Sequence, residues 1–392
     1  MLAESVRVSA LTRSSASIVV ALILWLTAFA AGFKLPITIG TAHAAPSTIT
    51  QTKSGLDHFD SLTTGDTSYW YIGGDAQDYG APHSYSQDSG GLHLSVESKY
   101  AGAWIGYYAL SPNSAATAYH AVMTLPYATV PDHQFEVEMW VQSADQRWIS
   151  GVSCTANVDT SGYYWSVDQG QGPNVGGGNV PIVELWTGPP NTGPLTQDCT
   201  IITNGQNYLK VYLGGTVVYK SSTLALNISS PFNSYLEVQT SSASSMRTGT
   251  FNYHYSMFGE NVTVTNSPPG GTVKIVDATN TVLVSAPVSS TGTAILPVGQ
   301  YRLPLTANIQ VYDSTNTLVA STTSAVTIWG GDAYAVSTNS ITTSLTSSLS
   351  TSLTSVTSVS TSLTSVTSVT SVTSVTSLCP PPSPPCTPRQ PP

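Results

Sequence analysis

Phe135-Glu136-Val137-Glu138-Met139-Trp140-Val141 alternates apolar and polar residues with a period of two, the pattern of a β-strand with one face in a core. Phe135, Val137, Met139 and Val141 fall on the core face, and Glu136, Glu138 and Trp140 on the other. Outward from this stretch the same texture recurs in GLHLSVES (91–98), RWISGVS (147–153), GYYWSVD (162–168), VPIVELW (180–186), NYLKVYLGGTVVYK (207–220), SYLEVQT (234–240) and TFNYHYSMF (250–258). Clusters of Gly, Asn, Ser and Pro separate them, and Leu213-Gly214-Gly215-Thr216 reads as a tight hairpin turn. No long segment has a 3.6-residue period. At least eight short strands in about 200 residues predict an all-β domain of two stacked antiparallel sheets.

Composition narrows the functional classes. Only 8% of the 392 residues are charged, against about 25% in ordinary soluble chains. A net charge of −9 with scattered lysines and arginines gives no electrostatic footprint for nucleic acid or an anionic membrane. The 20 Tyr, 8 Trp and 7 Phe supply bulky surface for a core, and Trp70, Tyr71, Trp104, Trp148, Tyr163, Tyr164, Trp165 and Trp186 are expected to divide between core and surface.

Arg7 and Arg13 precede an apolar run from Ala16 to Phe33, which leads to Ala42-His43-Ala44. These are the three parts of a secretory signal, cleaved after Ala44. The alternative is an uncleaved anchor, the one way in which a membrane enters the reading, and in both cases the body lies outside the cytoplasm. Four cysteines in that setting favour disulfides. The simplest scheme joins Cys154 to Cys199 and Cys379 to Cys386. The histidines show no ligand spacing, so no zinc site is expected. Asn227 and Asn261 begin N-glycosylation sequons.

The chain divides into a signal (1–44), a linker (45–54), an aromatic-rich domain (55–260), a Val/Thr-rich small β-sandwich (261–335) and a Ser/Thr/Pro-rich low-complexity tail (336–392). In the second domain Asp277-Ala278-Thr279-Asn280-Thr281 recurs as Asp313-Ser314-Thr315-Asn316-Thr317, polar turn chemistry between β-branched runs and hence two hairpins. The tail from Thr342 has one aliphatic residue in about three and no core to bury, which suits a disordered, O-glycosylated stalk; the competing reading is a β-aggregating tract.

The opening FDSLTTGDTSYWY (59–71), the GGLHL strand, FEVEMWVQ and the late NYLKVYLGGTVVYKSSTLAL with YLEVQT resemble the concanavalin A-like lectin/glucanase superfamily, a jelly roll shared with laminin-G-type modules. GGTVKIVDATNTVLVSAP and TGTAILPVGQY are similar to carboxypeptidase-regulatory or PEGA-type modules, which serve as spacers. The first resemblance implies that a sheet face carries the activity. Alternation places Glu184 with Trp186, and Tyr235 with Glu237 and Gln239, on faces like that of Glu136, Glu138 and Trp140.

Sugar rings pack C–H patches on Trp and Tyr while carboxylates accept hydroxyl hydrogen bonds. Glu136, Glu138, Trp140, Glu184, Trp186 and Glu237 are therefore the expected ligand-binding residues, with a polysaccharide or surface glycan as partner. Laminarinase-type glucanases carry E-[IV]-D-[IV]-x-E. This chain has Glu136 in the first position, Glu138 for the Asp and Val141 where the acid/base stands, so the resemblance breaks at the residue that protonates the leaving group. Lectin-like binding at the cell surface leads. One alternative is a glycoside hydrolase using two of Glu136, Glu138 and Glu184; another is a structural or adhesive envelope protein, with Glu136, Glu138 and Trp140 as a plain solvated face. No cofactor is required, although Asp75, Asp78 and Asp159 near glycines leave calcium open.

Overall fold

In the computed structural model, which describes residues 47–63, 67–126, 134–144, 150–171 and 181–337, the alternating stretches are strands throughout. The first strand is β1 (Ser47–Lys53). The aromatic-rich part follows as β2 (Leu56–Asp60), β3 (Tyr71–Gly73), β4 (His83–Asp88), β5 (Gly91–Val96), β6 (Ile105–Leu110), β7 (Ala118–Leu125), β8 (Phe135–Ser143) and β9 (Ser150–Asp159). It continues with β10 (Gly162–Gln171), β11 (Ile182–Thr187), β12 (Leu195–Thr203), β13 (Leu209–Leu213), β14 (Thr216–Ser221), β15 (Phe232–Thr240) and β16 (Arg247–Met257). The Val/Thr-rich part holds β17 (Asn261–Thr265), β18 (Thr272–Val276), β19 (Val282–Pro287), β20 (Ala294–Pro297), β21 (Leu305–Tyr312), β22 (Leu318–Ser321), β23 (Val326–Ile328) and β24 (Ala333–Val336).

Two sheets form the jelly-roll sandwich. One has seven strands in the order β11-β10-β9-β8-β15-β6-β3; the other has eight, β14-β13-β12-β7-β16-β5-β4 with β2 on β16. Their inner faces share one apolar core, with Val137, Met139, Val141, Ala156, Trp165, Leu236 and Val238 from the first and Leu94, Tyr119, Met123, Ile201, Val211 and Phe251 from the second. Cys154 on β9 and Cys199 on β12 are disulfide-bonded, tying the two sheets through that core. Closing a 45-residue separation corresponds to about 4 kcal/mol of loop entropy removed from the unfolded chain.

β1 and β17–β24 make a nine-stranded sheet around a second core. Residues 45–54, expected as a linker, instead supply β1, which pairs in parallel with β22 and antiparallel with β24. The segment is threonine-rich and lies where two exposed strand edges need a partner. Both D-x-T-N-T repeats form the expected turns. Asp277 Oδ1 accepts from Thr279 N, Thr279 Oγ1 and Thr281 N at 2.7–2.8 Å; Asp313 Oδ1 repeats the pattern with Thr315 and Thr317; Asn280 and Asn316 both take φ of 61°.

The second core does not stop at its own strands. Ala118, Ile202, Tyr212, Tyr255 and Met257, all on the outer face of the eight-stranded sheet, belong to it, and Lys210 Nζ reaches Glu260 at 2.8 Å beside Tyr212. The Val/Thr-rich part, expected as a small β-sandwich spacer, is packed against the jelly roll. The segment expected to be a signal (1–44), Trp148, Cys379, Cys386 and the tail beyond residue 337 lie outside the described residues.

Candidate functional site

With the outer face of the eight-stranded sheet packed against the second core, the corresponding face of the seven-stranded sheet becomes the place to look for chemistry. The β8–β15 register sets Glu138 directly opposite Glu237, Trp140 opposite Tyr235 and Glu136 opposite Gln239. The β8–β9, β9–β10 and β6–β15 pairings extend these into three lateral rows. One runs Tyr108, Glu237, Glu138, Thr155, Ser166; the next is Gln239, Glu136, Asn157, Tyr164; the third is Leu110, Tyr235, Trp140, Ser153, Asp168. Glu184 on β11 continues the third row beside Asp168. One edge of the face is aromatic and the centre and far edge are acidic.

Hydrogen bonds fix Glu138 from three sides. Trp140 Nε1 donates to its Oε2, Gln239 Nε2 to its Oε1 at 3.0 Å, and Thr155 Oγ1 to Oε2 at 3.3 Å. Glu136, two residues earlier on the same face, is near enough for the two carboxyls to influence each other's ionisation. Asp168 accepts from Ser166 Oγ at 2.6 Å and Ser153 Oγ at 3.4 Å. Glu237 is only 1% exposed, and its Oε2 has no hydrogen-bond partner.

Burial governs the ionisation of all four. It pushes Glu136 upward, and Glu138 further, the charge of its neighbour adding to the effect. Glu237 is raised well above the carboxylate range by burial and then by Glu138 and Asp75. Asp168 is raised to about 6 by burial, with the Ser166 hydrogen bond opposing. Among the described residues the seven strands contribute no Lys or Arg to offset this.

The expected residues do not all meet. Glu136, Glu138, Trp140 and Glu237 share the face, but Trp140 is 8% exposed; its indole stacks near-parallel on Tyr235 with centroids 6.0 Å apart and serves to hold Glu138 rather than to face solvent. Trp186 is a correction. A bulge between the Val167 and Asp168 positions puts Trp186 opposite core-facing Val167 while Glu184 stays opposite Asp168, so the two residues lie on different faces and Trp186 packs against the core. Strict alternation gives no sign of a bulge. Glu184 is exposed and three strands from Glu138, about 14 Å at normal strand spacing.

Those distances bear on catalysis. Paired glycosidase carboxyls stand about 5–5.5 Å apart in retaining and about 6.5–9.5 Å in inverting enzymes. Glu184 is too far from Glu138 for either. Two pairs are directly opposed, Glu138 with Glu237 and Asp168 with Glu184, with Cβ atoms about 4.5–5.5 Å apart by cross-strand geometry. In the first pair burial pushes both carboxyls upward, against the ionised form that a nucleophile needs.

Several contributors escaped the sequence reading. Tyr164, Ser166 and Asp168 alternate with core residues in GYYWSVD and could have been assigned by the rule applied to β8. Trp104, 39% exposed, precedes β6 in the parity of Gly106 and Tyr108, and Tyr71, 53% exposed, lies opposite Leu110 at the β3 edge. They are the exposed aromatics at the rim. Among the described residues no group of three His, Cys, Asp or Glu is arranged to hold a metal. Asp159 is engaged by Ser161 N at 2.6 Å and Tyr164 OH at 2.9 Å, and Asp75 and Asp78 share a one-turn helix. Of the sequons, Asn227 is exposed and Asn261 is half-buried within β17.

No family model and no curated protein matches the sequence. Among solved structures the chain is similar to the carbohydrate-binding module CBM66 from Bacillus subtilis, at 10% identity over 50% of this chain and 98% of that one, with a TM-score of 0.32. It is similar also to the Bacteroides ovatus mixed-linkage glucan GH16 in complex with a product, at 8% identity, 51% and 99% coverage and a TM-score of 0.38. The Emp46p carbohydrate recognition domain gives 13% identity, 52% and 96% coverage and a TM-score of 0.35. Likeness at this level carries no residue or activity across. The chain is an all-β protein built on an antiparallel jelly-roll sandwich.

Proposed function

We propose that this is a secreted or surface-displayed carbohydrate-binding protein whose recognition face is the outer face of the seven-stranded sheet. The observation that carries the reading is the clustering of Glu136, Glu138, Glu237 and Asp168 with Trp140, Tyr235 and Tyr108 on one face. Burying four carboxyls without a cation costs stability, and a face with a merely structural task gains nothing from it; perturbed titratable groups gathered in one place are the mark of a working site. Half-buried Glu136, Gln239 and Tyr164 and exposed Glu184 offer hydroxyl partners, and the rim aromatics Trp104 and Tyr71 offer stacking surface. The disulfide fits an oxidising compartment, the N-terminal signal would deliver the chain there, and the Ser/Thr-rich tail would serve as its stalk.

The test is depletion of the protein from solution by a panel of insoluble polysaccharides. Retention that drops in Trp104→Ala and Gln239→Ala supports the reading, and no retention on any matrix overturns it. A second reading, glycoside hydrolysis, is favoured by the two directly opposed carboxyl pairs, Glu138 with Glu237 and Asp168 with Glu184. Sugar release in the same tubes, abolished in Glu138→Gln or Asp168→Asn, would establish it; retention without release would exclude it for those polysaccharides.

A further inference from the structure

We infer that the carboxyl cluster around Glu136, Glu138 and Glu237 receives a cationic group, so that the glycan recognised here carries free amines. This rests on the glycan-binding reading and narrows its substrate class. Three observations converge. The seven-stranded sheet contributes five carboxyl groups to one face, namely Glu136, Glu138, Glu237, Asp168 and Glu184, and contains no Lys or Arg. The described basic side chains are engaged elsewhere or borne by other elements: Lys210 pairs with Glu260, Lys53 lies over Phe258, Lys99 over Tyr100, Lys274 over Tyr312 and Arg302 over Tyr253, while Lys220 and Arg247 belong to the opposite sheet. Independently, Glu237 Oε2 is buried without any partner, an acceptor position left open in the middle of the cluster.

Glu136, half-buried where Glu138 and Glu237 are buried, is where the cluster meets solvent. A neutral hydroxyl can satisfy one carboxyl oxygen, whereas an ammonium has three donors and a charge, enough to engage Glu136 and draw Glu138 or Glu237 into the ionised form. The titratable groups facing this position are Glu136 and Glu138 on β8, Asp159 on β9, Glu237 and Tyr235 on β15, Tyr108 on β6, Asp168 and Tyr164 on β10, Glu184 on β11, and Asp75 beyond β3. Because burial favours the protonated form of the central carboxyls, pairing one of them with an ammonium releases its proton.

Calorimetric titration of the full chain at pH 6.5 tests this with three probes: a glucosamine oligomer, its N-acetylated counterpart and a neutral β-glucan oligomer of equal length. The glucosamine oligomer is expected to bind about ten- to a hundredfold tighter than the other two, the worth of one charge-assisted hydrogen bond. Net proton release should appear as a dependence of the binding heat on buffer ionisation enthalpy. Glu136→Gln and Glu237→Gln, both isosteric, should each reduce that preference. Equal binding of all three probes, or binding without proton release, overturns the amine inference while leaving glycan recognition in place. Binding of none overturns both, and oligolysine binding as tightly as the glucosamine oligomer would contradict a sugar as the carrier of the amine.

Discussion

Replacing Asp168 by Asn should stabilise the protein at neutral pH and leave it unchanged in acid. Asp168 is 9% exposed, and burial raises its carboxyl from 3.8 to about 6. At 1.36 kcal/mol for each unit, ionising it in the folded state costs about 3 kcal/mol. The folded protein binds this proton more tightly than the unfolded chain does. That contribution is fully present below pH 3.8, declines as pH rises between about 4 and 6, and is gone above the folded value. Asn keeps Oδ1 as an acceptor for the Ser166 and Ser153 hydroxyls and never ionises. Urea unfolding of D168N beside the parent chain should give equal stability near pH 3.5 and an advantage of about 1–3 kcal/mol for D168N at pH 7.5, with most of the change between pH 4 and 6. A difference that is the same at every pH, or a variant less stable at pH 7.5 than at pH 3.5 relative to the parent, would refute the electrostatic reasoning and make Asp168 an ordinary hydrogen-bonding residue.

Other expectations follow from the same contacts. The Cys154→Ser/Cys199→Ser double variant should lose about 2–4 kcal/mol in denaturant unfolding, an effect that reductant should reproduce in the parent and not in the variant. A chain beginning at residue 55 lacks β1 and exposes the edges of β22 and β24; it should show accelerated proteolysis within 261–337 compared with one beginning at residue 45. Trp140→Phe removes the indole donor to Glu138 and should cost about 1–3 kcal/mol, whereas Glu184→Gln, exposed at the far edge, should leave stability within about 0.5 kcal/mol.

Much of the sandwich was legible because one-sided burial writes itself into a sequence as alternation. β8, β10 and β15 have one face in the core and one carrying polar groups, and their residues sort accordingly. β7 (AYHAVMTL) does not, since it is buried on both faces: Tyr119 and Met123 point into the sandwich while Ala118 belongs to the second core. A strand covered on both sides loses its period, and only the pairing with β12 and β16 reveals it. The two D-x-T-N-T turns were readable from chemistry alone, because an Asp that captures two backbone N–H groups and an Asn that accepts positive φ specify a turn locally. The role of residues 47–53 was not, for a strand that inserts between two others contributed by residues about 270 positions away has no local signal.

At the site, alternation found the shared face of Glu136, Glu138, Trp140 and Glu237. It missed what separates Trp186 from Glu184, a single bulged position. Nor could it tell a solvent-facing indole from one pressed against Tyr235, since both obey the same period. The upward shift of the Glu136 and Glu138 carboxyls is a property of depth, set by how completely the face is covered, and composition is silent on depth.

The central claim is that the outer face of the seven-stranded sheet binds carbohydrate, and retention of the protein on insoluble polysaccharides, compared across surface variants of that face and of the opposite sheet, tests it most directly. The account predicts a polysaccharide that retains the parent chain, retains Lys220→Ala on β14 equally, and releases Trp104→Ala and Glu136→Gln with at least tenfold weaker binding, about 1.4 kcal/mol. Retention unaffected by the Trp104 and Glu136 changes, or lost equally in Lys220→Ala, would contradict it.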